Sequence, residues 1–174
     1  MTLRPILVAP DPILKAKATP VAAVDDELRK LADDMLETMY DAPGIGLAAP
    51  QIGVSKRVIV FDISHDDEPR APHFMANPEL VWVSDEDATY EEGCLSVPEH
   101  YADVVRPAKI RVKFLDREGK SGELEAEGLL ATVIQHEMDH LDGILFIDHL
   151  SNLKRNMILR KLLKSRKQVP EQVS

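Results

Sequence analysis

Three stretches of the chain carry a helical rhythm. From Asp25 to Met39 the apolar positions Leu28, Leu31, Met35, Leu36 and Met39 recur at intervals that place side chains on one helix face. Asp25 stands where an N-cap is expected, and Asp26 and Glu27 put negative charge at the positive end of the helix dipole. Glu127 to Asp142 predicts a second helix, closed by Gly143 at the position that favours a left-handed residue. A third begins near Ser151, where Leu153, Met157, Ile158, Leu162 and Leu163 are interleaved with basic residues. Between the first two helices the pattern changes to short β-like runs: Arg57–Ile63, Glu79–Val83, and Lys109–Leu115 with its alternation of charged and apolar residues. Gly119 and Gly122 bracket a turn after which Glu123–Ala126 pairs back.

The intervening segments read differently. The first 24 residues are punctuated by proline and predict an extended arm. Ala42 to Ser55 carries no charge, contains three glycines and two prolines, and is excluded from regular helix. Ser64–Pro72 is acidic and predicts an exposed loop. Helix, several short strands, helix, helix describes an α+β fold rather than alternating βαβ units: short mixed or antiparallel sheets around the second helix, with an amphipathic N-terminal helix and a basic C-terminal one. No linker divides the chain, so residues 1–174 are expected to form a single catalytic domain, with 151–167 as the terminal helix and 168–174 as a frayed tail.

Composition narrows the functional classes. The chain has 174 residues, 44% of them hydrophobic, enough for one real core. Its net charge of −9 argues against a protein built mainly to grip nucleic acid, DNA included. That charge is unevenly spread, because Lys154, Arg155, Arg160, Lys161, Lys164, Arg166 and Lys167 fall in one helix-sized segment with no acid among them. A single cysteine, Cys94, excludes an intramolecular disulfide and points to a reducing cytoplasm. The proline-broken N-terminus is no signal peptide, and no run approaches the ~18 apolar residues of a membrane span.

The second helix carries the chemistry, in Gln-His-Glu-Met-Asp-His from 135 to 140. His136 and His140 are one turn apart and can hold one metal ion between them. They continue a stripe begun by Leu129 and Val133, which points them inward. A lone core histidine is ordinarily just hydrogen-bonded to its neighbours; two in register with a carboxylate between them would leave several polar atoms to satisfy without a metal. Glu137 and Asp139 both lie about 80° from the bisector of the two histidines, so geometry does not choose the base between them. The known zinc-peptidase use of this motif assigns the glutamate as general base and leaves Asp139 a supporting or structural part.

A catalytic metal usually has a third protein ligand and an open position for water. Downstream, the metzincin position for a third histidine is occupied by Phe146, the remaining acids are Asp148 and Glu171, and His149 sits where the chain turns toward the next helix. Upstream, Cys94 follows Gly93, which allows close backbone approach, and Glu91 and Glu92, which are poor neighbours for a free nucleophilic thiolate. Coordination would deprotonate the thiol in any case, so Cys94, His136 and His140 form a coherent ligand set.

Three blocks in this order, Gly-Ile-Gly-Leu-Ala-Ala-Pro-Gln (44–51), Glu-Gly-Cys-Leu-Ser (92–96) and Gln-His-Glu-Met-Asp-His (135–140), resemble the signature of the peptide deformylases. The likeness of organisation, to the bacterial forms, runs from the proline-rich arm to the basic terminal helix. The resemblance implies a hydrolase that removes the formyl group from the N-terminal formyl-methionine of new polypeptides and releases formate. It implies Cys94, His136 and His140 as metal ligands, with metal-bound hydroxide attacking the formyl carbon and Glu137 as general acid and base. It further implies the Gln51 side chain and the Leu95 N–H as oxyanion donors. Gly44, Ile45, Gly46 and Gly93 would lie along the substrate, and Ile45, Leu129 and Val133 around the methionine side chain. Arg106 is a candidate partner for Glu92, with an ordinary surface arginine as the alternative. The cofactor implied is one divalent metal, Fe2+ in cells, with Zn2+, Ni2+ or Co2+ compatible with the ligand set. The resemblance also implies ribosome docking through the basic helix, Lys154 to Lys167, whose residues alone are equally accounted for by a solvated basic face.

Two rival functions share part of these features. A zinc endopeptidase would use the same helix but has only poor downstream candidates for a third ligand, His149 among them, and a metal-stabilised RNA-binding module gives no role to Glu137 or Gln51.

Overall fold

In a computed structural model, the structure describes residues 2–168 of the chain. The expected tail, 168–174, lies outside the described residues except for Gln168. The first helix, α1 (Asp26–Asp41), starts where the pattern puts it: Asp25 accepts a hydrogen bond from the Leu28 N–H at 2.9 Å. Five strands follow the arrangement β1 (Gly46–Ala48), β2 (Val58–Phe61), β3 (His73–Val83), β6 (Lys109–Leu115) and β7 (Ser121–Glu127), neighbours in that order and all antiparallel. A separate hairpin pairs β4 (Asp87–Cys94) with β5 (Val97–Pro107). Two further helices, α2 (Gly128–Leu141) and α3 (Asn152–Gln168), complete the α+β fold, so the sheets are antiparallel rather than mixed.

Alternation along β2 decides how the layers stack. Val58 and Val60 pack with Leu28, Leu31, Met35 and Met39 of α1, whereas Ile59 and Phe61 pack with Ile134, Met138 and Leu141 of α2. The sheet is therefore covered on both faces, and all of β2 is buried. A third cluster joins the arm residues Ala9 and Leu14 to Val97, Val104, Phe146, Ile147 and Leu162 of α3.

The hydrophobic pattern does not announce β4 and β5, because the side chains they bury include Glu92 and Arg106 rather than a run of alternate apolar residues. β3 likewise begins at His73, well before Glu79; Asn77, at φ 50°, and Pro78 interrupt its pairing with β6 and mask its first half. The arm is mostly extended as expected but contains a 3₁₀ turn at Pro12–Lys15. It is stitched to the site by Leu7 N–H to Gln51 O at 2.7 Å and Ala9 N–H to Ser96 O at 2.9 Å. α2 is buried on nearly every side, and of its expected inward stripe Leu129 is the exception, at 42% exposed. Gly143, at φ 76°, ends α2 where a Cβ would strike the backbone of Lys15. α3 docks through a narrower strip than the pattern suggests: Leu162 is buried and Ile158 and Leu159 partly so, while Leu153, Met157 and Leu163 remain exposed.

Candidate metal centre and catalytic cleft

The central helix brings His136 and His140 to one side with ring centroids 5.1 Å apart. The β4–β5 hairpin delivers Cys94 to them from a two-residue turn, Leu95–Ser96. Cys94 Sγ lies 3.3 Å from His140 Nε2, and one donor atom from each of the three residues falls within 4.8 Å of the others. Among the described residues this is the set of histidine, cysteine and carboxylate groups that can share an ion.

The donor chemistry fits a divalent metal. A half-buried thiol and two buried imidazoles converge on one point, a donor set that such an ion takes. His136 Nδ1 meets Glu92 Oε1 at 2.9 Å, so the N–H on that nitrogen donates to the carboxylate and leaves Nε2 for coordination. In the metal-free protein, burial disfavours charge on His136, but Glu137, Cys94 and Glu92 together more than reverse this and raise its pKa well above the ordinary value. Burial, reinforced by the neighbouring His136, holds His140 well below it.

Glu92 is itself clamped. Arg106, 5% exposed, donates to both its oxygens, Nε to Oε2 at 2.7 Å and Nη2 to Oε1 at 2.9 Å, and gives Nη1 to Asp139 Oδ2 at 2.8 Å. Burial raises the Glu92 pKa, yet the bonds to His136 and Arg106 outweigh it and keep the carboxyl below its usual range. Arg106 is thus a buried ion-pair partner and not a surface arginine. Asp139 also accepts from His149 Nε2 at 2.8 Å.

Glu137 is treated in the opposite way. It is 5% exposed, its Oε1 has no hydrogen-bond partner among the described residues, and burial pushes its pKa up to about 7 against the opposing pull of His136. A Cβ on Gly46 would run into its carboxylate, so glycine at 46 leaves the Glu137 side chain where it is. Gln51 sits in the 3₁₀ turn Ala49–Ile52 after β1, 1% exposed. Its Oε1 accepts from Ala48 N–H at 2.9 Å, and its Nε2 donates to Ser96 Oγ at 3.0 Å and, weakly, toward Cys94 Sγ at 3.5 Å. Its burial excludes an exposed loop amide. Ser96, fully buried and donating its N–H toward Cys94 Sγ at 3.4 Å, is a part of the site that residue type alone does not mark.

These groups line one cleft of about 540 Å³. Its walls include Gly44, Ile45, Gly46, Gln51, Gly93, Cys94, Leu95, Leu129, Val133, His136 and Glu137; His140 lies deeper, at 1% exposed. Ile45 and Leu129 are exposed at 46% and 42%, and Val133 is buried. A bulge in β5 adds Pro98, Glu99, His100 and Tyr101 to the opposite wall, with Glu99 at φ 67°; nothing in the hydrophobic pattern signals this wall. The Tyr101 ring packs where a Cβ on Gly93 would stand.

Comparison with known proteins identifies relatives over nearly the whole chain. A family model described as polypeptide deformylase matches residues 3–156. A peptide deformylase of Rhizobium meliloti (strain 1021) is 56% identical over 167 residues, covering 96% of both chains. One from Phenylobacterium zucineum (strain HLK1) is 59% identical over 167 residues, 96% of this chain and 99% of that one. The crystal structure of the peptide deformylase from Ehrlichia chaffeensis superposes with a TM-score of 0.91 at 38% identity, covering 95% of this chain and 98% of the other.

Proposed function

The chain belongs to the polypeptide deformylase family, a hydrolase that removes the formyl group from N-terminal formyl-methionine, and from that premise we propose how its residues divide the work. Cys94, His136 and His140 hold the metal. When bound there, a divalent ion supplies Lewis-acid chemistry and brings the pKa of a water toward ~7. Glu137 takes the proton of the attacking water at its carboxylate and passes it to the methionine nitrogen as the C–N bond breaks, so that formate and a free amine leave. The observation that carries this reading is the Glu137 carboxylate: buried, lacking a partner on Oε1, facing the cleft and poised near neutral pH.

Gln51 Nε2 and the Leu95 N–H stabilise the oxyanion. The long contact from Gln51 to Cys94 Sγ is the one it can give up, while Ser96 and Ala48 keep the amide oriented. The substrate backbone adds to β1, with Gly44, Ile45, Gly46 and Gly93 along its path. β1 is the edge strand of its sheet, which supports this reading. The methionine side chain lies between Ile45, Leu129 and Val133 and covers the exposed apolar area of Ile45 and Leu129 at the mouth.

The working metal in this proposal is ferrous iron, in a cytoplasmic enzyme. A thiolate beside ferrous iron in a site open to water is oxidation-prone, so activity of the iron protein decays in air and that of the nickel protein persists. Equal lifetimes of aerated and anaerobic iron protein would count against iron. The basic α3 docks the enzyme on the ribosome. Removing residues 154–174 is expected to weaken co-sedimentation with ribosomes at low salt while sparing turnover of short peptides.

The decisive assay is formate release from a formyl-Met tripeptide by anaerobically prepared protein, with Glu137→Ala as the control. Cleavage of an internal peptide bond instead would favour an endopeptidase.

A further inference from the structure

His149 stands outside all three sequence blocks, yet it ends a chain of hydrogen bonds that begins at a proposed metal ligand. The chain runs His136 Nδ1 to Glu92 at 2.9 Å, Glu92 to Arg106 at 2.7 and 2.9 Å, Arg106 to Asp139 at 2.8 Å, and Asp139 to His149 Nε2 at 2.8 Å. It links α2, β4, β5 and the 3₁₀ turn Phe146–His149. From Glu92 outward burial falls: the Glu92 and Arg106 side chains are 4% and 5% exposed, Asp139 22% and His149 36%.

A second contact ties the same turn to the same ligand. Phe146, fully buried, stacks on the His136 ring with centroids 6.2 Å apart and planes 24° from parallel. The turn is fixed at its start by Leu145 N–H donating to Asp148 Oδ2 at 2.9 Å. One four-residue turn therefore holds the His136 ring from its face, through Phe146, and from its edge, through His149 and the charged chain.

We propose that His149 is a positioning residue of the metal site, acting through Asp139, Arg106 and Glu92 on His136. The proposal rests on the reading of His136 as a ligand. Asp139 Oδ2 receives both Arg106 Nη1 and His149 Nε2. Without the imidazole, a carboxylate this near the surface is free to turn toward water, and Arg106 loses the anchor that keeps its guanidinium square to Glu92. The His136 ring then samples a wider range of orientations, and metal escapes faster.

Chelator-driven release of Co2+ from the cobalt-loaded full chain, with its absorption spectrum, tests this in wild type, His149→Phe, His149→Ala and His149→Gln. Loss of an outer partner of a metal-bound histidine typically costs 10–100-fold in affinity; at this remove, release is expected to be about 3–10-fold faster in H149F and H149A. The cobalt absorption should also shift, and H149Q, which keeps an N–H donor, should return the rate to within about twofold of wild type. Thermal unfolding of the metal-free proteins identifies a variant that fails to fold; H149A then stands in for H149F. Wild-type release rates and spectra in H149F and H149A overturn the proposal, as does acceleration that H149Q does not rescue. Wild-type protein that binds no cobalt at all overturns the metal-site reading itself.

Discussion

Glu92 and Glu137 are glutamates of nearly equal burial, 6% and 5% exposed, and the fold gives them opposite electrostatics. Glu92 has every oxygen engaged, by Arg106 and His136, and is held in the charged form. Glu137 has an oxygen without a partner and is pushed up to about 7. The difference teaches that burial alone does not set the role of an acid. A paired carboxylate in a low-dielectric setting is scaffold; an unpaired one stores the cost of its own desolvation and can exchange protons near neutrality.

Substitutions that interchange these roles test the contrast. The largest effect is expected for Glu137→Gln, which keeps shape and removes proton transfer: formate release from a formyl-Met tripeptide should fall about 10²–10⁴-fold with metal content unchanged. Gln51→Ala should follow, with turnover lower by about 10²–10³-fold, measured at saturating substrate. Glu92→Ala should act through a different quantity. It removes both bonds between Glu92 and the buried Arg106 and leaves that charge with Asp139 alone, so stability by denaturant unfolding should drop by up to about 3–5 kcal/mol. Metal affinity, measured by competition with a chelator, should fall about 10–100-fold. If Glu92→Ala instead reduced turnover of fully loaded enzyme as much as Glu137→Gln, the division between scaffold and reacting acid would collapse.

The smallest effect is a pH dependence. The folded-state pKa of Glu137 in the metal-free protein is raised from 4.5 to about 7, so the proton binds the folded state more tightly than the unfolded one. Its contribution to stability is fully present below about 4.5 and is lost as pH rises through about 7. Glu137→Gln should flatten this part of the stability profile of chelated protein, read by unfolding at pH 5 and pH 8. Asp62 runs the other way: burial raises its pKa, but bonds from Ser64, Tyr40 and Ala71 outweigh this and hold it at about 2. Its contribution is present above 3.8 and fades only as pH falls through about 2.

Much of the α1, β6, β7 and α2 arrangement was legible because each of those elements follows a single period with clear ends. The Asp25 cap and Gly143 stop are local chemistry that the chain states outright. The β4–β5 hairpin was not legible, since its buried positions include charged residues that make sense only once Glu92, Arg106 and Asp139 are seen to satisfy one another. Ser96, inside the second motif block, and His149, weighed only as a metal ligand, showed no supporting role for the same reason: a serine or histidine beside a turn carries no such signal until its partner is known.

The sequence by itself determined the helices, the family and the i, i+4 histidine pair, because caps, periods and motif spacings are properties of neighbouring residues. Only the tertiary structure decided that Arg106 is buried, that Gln51 faces Cys94, that Gly46 lies against the Glu137 carboxylate, and that one oxygen of Glu137 lacks a partner among the described residues. Those outcomes depend on desolvation and on partners brought from distant parts of the chain. The pKa of an acid is set by both, and neither is a local quantity.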